Sequence, residues 1–268
     1  ACTVMLGESD GRGGISYTAV DSCLMFVPML HGKQLVTVED LTDEGSLHPV
    51  QKAMVECNGS QCGYCTPGIV MSLAALHKKN TLQSDEDIED ALTGNLCRCT
   101  GYKPILEASR VSLKVREQDR LDRNASANLK LIESLADNES LEIITDTQRY
   151  HRPSSLNEAL RLKSEDAGLL PFCGATDLAL RVTKRHEVLP ALLDLSAISE
   201  LKSILISEES VVIGATCDLE TIRTGLRKQL PALTGMLDVF GSRQIRSLAT
   251  LGGNLGSASP IGDTLPVL

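Results

Sequence analysis

The sequence predicts an α+β fold made of a short β-rich segment, a helical bundle and a second mixed α+β domain. Residues 1–42 contain apolar stretches that flank the turn-prone sequence GESDGRGG. Residues 46–112 carry apolar residues at helical spacing in four separate runs. Residues 148–268 mix short apolar runs with amphipathic segments.

Length and charge limit the function classes. The chain has 268 residues, which is enough for two domains, and its net charge is −9. An acidic chain lacks the basic face that nucleic acids and anionic membranes require. The longest apolar stretch, from Cys23 to Leu30, is too short to span a bilayer and contains Pro28. We therefore expect a protein that binds neither nucleic acid nor a membrane. The closely spaced cysteines suit a reducing compartment, which predicts a cytoplasmic location.

The first 42 residues predict strands in TVML, GISYTAVDSCLM and KQLVTVEDL. Two or three strands cannot close a stable core by themselves. The segment is therefore expected to be the end of a larger domain.

The four runs that follow predict a helical bundle over residues 43–112. Pro49 suits the first turn of HPVQKAMVECN, and Pro67 opens PGIVMSLAALHKKN. Ser84 is placed to cap SDEDIEDALTGN, which has acidic residues in its first turn. Pro104 lies near the start of KPILEASRVSLK.

Residues 113–147 are polar and rich in charge, which predicts a linker. In residues 148–268, RPSSLNEALRL predicts a capped amphipathic helix, as do LETIRTGL and LPALTGMLDVFG. ALLDLS, LKSILIS and SVVIGATC predict strands. PIGDTLPVL carries no terminating signal, so this domain is expected to be incomplete.

Nine cysteines form the strongest pattern. Cys62 and Cys65 form C-x-x-C, and Cys97 and Cys99 form C-x-C, each at a predicted junction of helix and loop. Four thiolates suit zinc or an iron–sulfur cluster, and the spacing alone fits both equally well. Disulfides are disfavoured in a reducing compartment.

Two further stretches, LLPFCGATDLAL and SLATLGGNLGSASPIGD, place small and hydroxyl-bearing residues in predicted turns. Neither matches G-x-G-x-x-G, so neither is a Rossmann fingerprint. Backbone N–H groups and hydroxyls in such turns can surround a diphosphate. By themselves the two stretches are more typical of ordinary turns than of a phosphate site.

GSQCGYCTPGIVMSLAAL followed by GNLCRCTGYKPIL resembles the helical [2Fe–2S] domain of the molybdenum hydroxylase family, which includes xanthine dehydrogenases and aldehyde oxidases. The resemblance implies that one [2Fe–2S] cluster is ligated by Cys62, Cys65, Cys97 and Cys99. It also implies that Gln61 and Cys99 approach the molybdopterin.

The family places a plant-type ferredoxin domain before the bundle. ACTVML and DSCLM match the end of its ligand pattern. The resemblance therefore implies that residues 1–42 are the C-terminal part of that domain. Cys2 and Cys23 would be its last two ligands, and this second cluster site would be incomplete within the chain.

The two glycine-rich stretches resemble the paired FAD-binding loops of the same family, and YHRPSSLNEAL resembles the start of that FAD domain. The implied diphosphate loop comprises Phe172, Cys173, Gly174, Ala175, Thr176, Asp177 and Leu178. The implied flavin-contacting positions are Phe240, Thr250, Gly253, Asn254, Ser257 and Asp263. Asp263 is expected to bind a ribityl or adenosine-side hydroxyl.

The implied function is electron transfer, with no catalytic residue on this chain. Electrons would pass from a molybdopterin centre on a large partner subunit through [2Fe–2S] to FAD and then to NAD⁺, within a hetero-oligomer. LRVTK and RQIRSLATLGGN resemble most the small subunit of bacterial xanthine dehydrogenases. The alternatives are the same family acting on aldehydes or other N-heterocycles, and a non-catalytic module stapled by zinc.

Overall fold

The computed structural model describes residues 2–79, 81, 83–115, 117–136, 139–259 and 261–268. The chain divides into two compact units. Unit 1 comprises Ala1–Ser22, Leu30–Asp137 and Ser242–Gln244, and unit 2 comprises Cys23–Met29, Asn138–Gly241 and Ile245–Leu268. Helices and strands occur in both units, so the predicted α+β fold class is confirmed.

Unit 1 begins with a three-stranded antiparallel sheet in the order β2-β1-β3. Its strands are β1 (Thr3–Ser9), β2 (Ile15–Asp21) and β3 (Gln34–Val36). The turn between β1 and β2 is held by Asp10, whose carboxylate accepts hydrogen bonds from the N–H groups of Arg12 and Gly14.

The third predicted strand, KQLVTVEDL, is shorter than expected. After β3 the chain turns into a 3₁₀ helix over Val38–Leu41. The Thr37 N–H donates to the Asp40 carboxylate at 3.3 Å, which is half of a capping box. This local bond ends the strand.

The four predicted helices are confirmed as α1 (Pro49–Glu56), α2 (Thr66–His77), α3 (Asp85–Leu92) and α4 (Lys103–Ser112). The Ser84 side chain accepts from the Asp87 N–H and so caps α3 as expected. Every residue of α2 from Gly68 to His77 is buried, so α2 is the central helix of the unit.

The range 113–147, which its composition predicts as a linker, contains regular structure. Helices α5 (Arg120–Arg123) and α6 (Ala125–Leu135) lie in it, followed by the strand β4 (Leu141–Ile144). Helix α6 exposes most of its residues and α5 exposes half, which explains the polar composition. Leu121 and Ile132 are their buried residues.

Unit 2 contains a four-stranded sheet in the order β4-β5-β7-β6. Its further strands are β5 (Arg149–Arg152), β6 (Leu170–Phe172) and β7 (Ala191–Asp194), which are mutually parallel, whereas β4 is antiparallel to β5. Helix α7 (Leu156–Glu165), capped by Ser155, connects β5 to β6, and α8 (Leu178–Thr183) connects β6 to β7.

The rest of unit 2 is a hairpin and a group of short helices. Strands β8 (Ile204–Ile206) and β9 (Val211–Ile213) pair with each other. The helices are α9 (Leu219–Gly225), α10 (Pro231–Leu237), α11 (Arg243–Arg246) and α12 (Leu251–Gly256).

Helix α12 corrects the prediction that GGNLG lies in a turn. The Thr250 hydroxyl accepts from the Gly253 N–H at 3.1 Å and caps the helix, which overrides the low helix propensity of its glycines. In the part of the chain that the structure describes, no helix combines the length and apolar character needed to span a membrane.

Candidate cofactor sites

The four motif cysteines come together in unit 1. Cys65 is the N-cap residue of α2, and Cys97 and Cys99 lie in the loop between α3 and α4. The thiols of Cys62 and Cys99 are close enough to shift each other's pKa, and so are the thiols of Cys65 and Cys97. All four are free cysteines. Each pair thus takes one sulfur from each motif.

The two pairs differ in their exposure. Cys62 and Cys99 are exposed, whereas Cys65 is half-buried and Cys97 is buried. One side of the sulfur set therefore faces outward and the other faces the bundle. Gln61, which is also exposed, precedes the outer Cys62.

The thiol pKa values follow these surroundings. The Thr100 hydroxyl, followed by backbone N–H groups and the Cys65 thiol, lowers the pKa of Cys97 to about 7. Burial, followed by the contact with Cys97, raises the pKa of Cys65 to about 11. The thiolate is the form that ligates metals, so Cys97 is the sulfur of this inner pair that ionises first.

Backbone conformation shapes both cysteine turns. Gly63 lies inside C-x-x-C with φ +84°, and Gly101 follows C-x-C with φ +64°. Tyr102 has φ +67° and is the N-cap residue of α4. These left-handed positions let backbone N–H groups point at the sulfurs, as the Tyr64 N–H does at Cys62.

A buried polar network holds the C-x-C loop in place. The Asn95 side chain donates to Ser72 Oγ at 2.8 Å and accepts from Thr3 Oγ1 at 3.2 Å. Gln244 also donates to Ser72, at 2.8 Å. A Cβ on Gly94 would lie 2.3 Å from Gln244 Oε1, so a larger residue there would displace the Gln244 side chain. Sequence reasoning missed Asn95 and Gln244 as anchors, although Asn95 stands inside the GNLCRC motif.

The sulfur positions bear on which metal the set fits. Zinc bound by four thiolates would bring all the sulfurs to about 3.8 Å from one another, given Zn–S bonds of about 2.3 Å. Among the described residues, no three of the four sulfurs lie within 4.8 Å of one another. Two separate pairs suit two metal ions better than one.

Cys2 and Cys23 are both exposed. The Cys2 carbonyl accepts from the N–H and from the hydroxyl of Ser22, each at 2.9 Å. These bonds hold the start of β1 against the end of β2. The assignment of Cys2 and Cys23 as cluster ligands stays a prediction.

The two glycine-rich stretches of unit 2 lie against each other. Gly174 has φ +75°, and a Cβ there would lie 1.8 Å from the carbonyl oxygen of Leu248. The Cβ position of Gly253 is 3.9 Å from the Cys173 carbonyl oxygen. The structure therefore brings together two segments that are about 75 residues apart in sequence.

A third segment, which sequence reasoning missed, contacts the second of these stretches. The Gly252 N–H donates to the Ala215 carbonyl at 2.9 Å, and a Cβ on Gly252 would lie 2.6 Å from that oxygen. The signal is visible in the sequence, because GATD at residues 174–177 is echoed by GATCD at residues 214–218. The buried Thr216 hydroxyl has no hydrogen-bond partner among the described residues. Glycine-lined backbone and an orphaned hydroxyl fit a polar ligand such as a dinucleotide.

The remaining predicted flavin-site residues divide by burial. Phe172 is buried in β6 with its ring 5.6 Å from that of Phe26, and Phe240 packs on the core around α9 and α10. Asn254 accepts a hydrogen bond from Thr264. The exposed ones are Asp177, Gly253, Ser257 and Asp263.

Comparison with known families matches both halves of the chain. Residues 37–110 match the [2Fe–2S] binding domain model, and residues 140–268 match the model of the FAD binding domain in molybdopterin dehydrogenase. These matches define an iron–sulfur flavoprotein, and they confirm the predicted [2Fe–2S] and FAD cofactors.

Relatives extend over the whole chain. Xanthine dehydrogenase from Drosophila subobscura is 34% identical, and xanthine dehydrogenase/oxidase from Rattus norvegicus is 29% identical. Each alignment covers 100% of this chain and 24% of the relative, so the chain spans about a quarter of the length of these curated relatives. Aldehyde oxidoreductase from Desulfovibrio gigas matches 42% of this chain and 12% of its own, with 36% identity and a TM-score of 0.36.

The chain belongs to the xanthine dehydrogenase family of oxidoreductases, within the molybdenum hydroxylases, and carries the iron–sulfur and FAD parts of that family. The resemblance that the cysteine and glycine motifs indicate is therefore confirmed.

Proposed function

We propose that this chain transfers electrons in a xanthine dehydrogenase, from a molybdopterin centre on a partner chain to FAD and then to NAD⁺. The observation that carries the proposal is the arrangement of the four motif cysteines as two thiol pairs. When bound, the cluster supplies one-electron transfer and the flavin converts this to the two-electron hydride transfer that NAD⁺ needs. The family models at 37–110 and 140–268 support domains at 43–112 and 148–268.

The pairing assigns the sulfurs to the two irons of the cluster. Cys62 and Cys99 would bind the outer iron, and Cys65 and Cys97 the inner one, because each iron of a [2Fe–2S] cluster takes two cysteine ligands. The N–H groups of Tyr64 and Cys99 point at these sulfurs and would stabilise their negative charge.

The outer side of the sulfur set is where the molybdopterin-binding subunit would dock. Gln61, Cys62 and Cys99 are exposed there. Beside them a cavity of about 580 Å³ reaches Gly63 and is lined by exposed apolar side chains, including Leu47 and Val55. Apolar surface of this kind is typical of a protein interface and supports a hetero-oligomer.

In unit 2 we propose that residues 172–178 hold the FAD diphosphate through their backbone. The tight approach of Gly174 to the Leu248 carbonyl and of Gly252 to the Ala215 carbonyl supports this, because no side chain fits at either position to cover the neighbouring backbone. Thr216 would donate its orphaned hydroxyl to the same ligand. Phe172 is buried, so it would support this loop through packing. The exposed Asp263 would bind a ribityl or adenosine-side hydroxyl.

Two other functions remain as alternatives. The substrate could be an aldehyde or another N-heterocycle, since the molybdenum subunit would select it. Turnover of the complete enzyme with xanthine and with aldehydes distinguishes these. A zinc-stapled module is disfavoured by the separation of the sulfurs into two pairs.

Purified chain expressed in the cytoplasm tests the proposal. We expect iron, acid-labile sulfide and FAD, a red-brown colour, and an EPR signal on reduction. Cys65→Ser and Cys97→Ser should each lose the iron, because a hard hydroxyl replaces a soft thiolate. Cys57→Ser is the matched control, since Cys57 is a half-buried cysteine outside the set and should retain full iron. A colourless protein that holds one zinc and no flavin would contradict the proposal.

A further inference from the structure

A threonine hydroxyl lies against one of the four sulfurs. Thr100 Oγ1 is 3.1 Å from Cys97 Sγ, within the range of a hydrogen bond to sulfur. Thr100 directly follows Cys99, the last cysteine of the C-x-C motif. Its side chain therefore reaches back past the exposed Cys99 to the buried Cys97.

The protonation state of a ligating cysteine determines the direction of this hydrogen bond. The Tyr102 N–H donates to Thr100 Oγ1 at 3.2 Å, so the threonine oxygen already accepts one bond. A hydroxyl has one proton to donate, and a ligating thiolate can only accept. In the cluster-bound state the Thr100 proton must therefore be directed at Cys97 Sγ.

Tyr102 forms hydrogen bonds with both Cys97 and Thr100. Its phenol oxygen accepts from the Cys97 N–H at 3.0 Å, while its own N–H holds Thr100. Its left-handed backbone, at φ +67°, places it as the N-cap residue of α4. Cys97, Thr100 and Tyr102 thus form a ring of three hydrogen bonds anchored to a helix, so the hydroxyl has little freedom to leave the sulfur.

We propose that Thr100 is a positioning residue that sets the reduction potential of the cluster through its hydrogen bond to Cys97 Sγ. The inference rests on the proposed function, in that the four cysteines ligate [2Fe–2S]. Reduction adds negative charge to the iron and its sulfur ligands. A hydrogen bond to a ligand sulfur stabilises that added charge and raises the potential.

The test compares Thr100→Val, which keeps the shape and loses the hydroxyl, with Thr100→Ser, which keeps the hydroxyl. The full chain is titrated electrochemically and followed by EPR, and iron content is measured alongside. We expect Thr100→Val to retain its iron, to shift its midpoint potential to a more negative value and to change its EPR g-values. Thr100→Ser should restore the wild-type potential.

Thr66→Val is the matched control. Thr66 directly follows Cys65, and its hydroxyl lies 2.7 Å from Ser60 Oγ. The substitution should therefore leave the midpoint potential unchanged. An unchanged midpoint in an iron-replete Thr100→Val protein would overturn the role of Thr100 and leave the proposed function standing. Absence of any cluster from the wild-type chain would instead overturn the proposed function.

A second variant, Thr100→Ala, covers the case in which valine does not fit. Iron loss in both Thr100→Val and Thr100→Ala would overturn the inference, because the hydroxyl would then be needed for assembly. Pulsed EPR of the reduced wild-type protein in D₂O gives a measurement without substitution. An exchangeable deuteron coupled to the cluster that disappears in Thr100→Ala is the expected result.

Discussion

The Asp119 carboxylate lies 3.1 Å from Nε2 of His48, and both side chains are almost completely buried. The Val50 N–H donates to Nδ1 of the same imidazole, so Nε2 carries the proton and donates to Asp119. Lys78 Nζ approaches the carboxylate at 2.5 Å from the end of α2. Asp119 therefore joins the start of α5 to α1 and α2. These bonds already use both nitrogens of His48.

We predict that Asp119→Asn destabilises unit 1 by about 3 kcal/mol, because it leaves the buried Lys78 with less negative charge around it. Urea unfolding followed by circular dichroism measures this. Asp85→Asn is the control, because Asp85 pairs with Arg110 at the exposed surface, and it should change the stability far less. Equal effects of the two substitutions would contradict the buried role of Asp119.

Acid should destabilise unit 1 in two stages, through His77 and Asp119, which lie together with His48. Burial, followed by the nearby His48, lowers the pKa of His77 below 6.5, so the folded state favours the neutral imidazole. Its contribution to stability is lost as the pH falls below 6.5. Burial raises the pKa of Asp119, but hydrogen bonds from His48 and Lys78 outweigh it and hold that pKa well below 3.8. Its contribution is lost only as the pH falls below 3.8.

Melting temperatures measured between pH 7.5 and 3 check this order. His77→Gln should flatten the dependence between pH 6.5 and 5, because it removes the titrating ring while it can still donate to the Val115 carbonyl. The loss below pH 3.8 should persist in this variant. An unaltered slope above pH 5 would show that His77 does not carry the first stage.

In unit 2 we predict that Glu220→Gln costs about 3 kcal/mol, because it leaves Arg246 as a buried charge without its carboxylate. Arg246 also donates to the carbonyls of Phe240 and Gly241. Burial opposes ionisation of Glu220, but hydrogen bonds from Arg223 and Arg246 lower its pKa to about 2. Its contribution is therefore lost between about pH 4.5 and 2.

Thermal unfolding of the full chain measures the cost of Glu220→Gln. Glu165→Gln is the control, since Glu165 forms an exposed pair with Arg161 one turn away, and it should change stability by less than about 1 kcal/mol. A Glu220→Gln protein as stable as this control would be evidence against a buried network.

Gly174→Ala should destabilise unit 2 by at least about 2 kcal/mol and weaken FAD retention. The added Cβ would collide with the Leu248 carbonyl at a left-handed backbone position. Gly235→Ala is the control, because the space around Gly235 in α10 is open, and it should stabilise by about 0.5–1 kcal/mol. The flavin-to-protein ratio and the melting temperature check both. Full flavin retention in Gly174→Ala would contradict the placement of this loop at the cofactor.

Local signals account for the features that sequence reasoning predicts well. Ser84 and Ser155 cap α3 and α7 as expected, because a cap depends on residues three or four positions away. The α12 helix was missed because its glycines have poor helix propensity, and the Thr250 cap that compensates is a weak signal in a glycine-rich run. Helices α5 and α6 are not predicted from the sequence, because their exposed polar and charged residues are also typical of a linker.

The sequence by itself determined which cysteines can act as ligands, because the C-x-x-C and C-x-C spacings keep the two cysteines of each motif within three residues of each other. It also determined the glycine-rich stretches of the FAD half. Only the tertiary structure decided that Cys62 pairs with Cys99 and Cys65 with Cys97, and that residues 214–218 and residues 173–174 both contact residues 248–253. Those relationships depend on contacts between segments more than 30 residues apart, which packing of whole helices and strands establishes and local spacing does not.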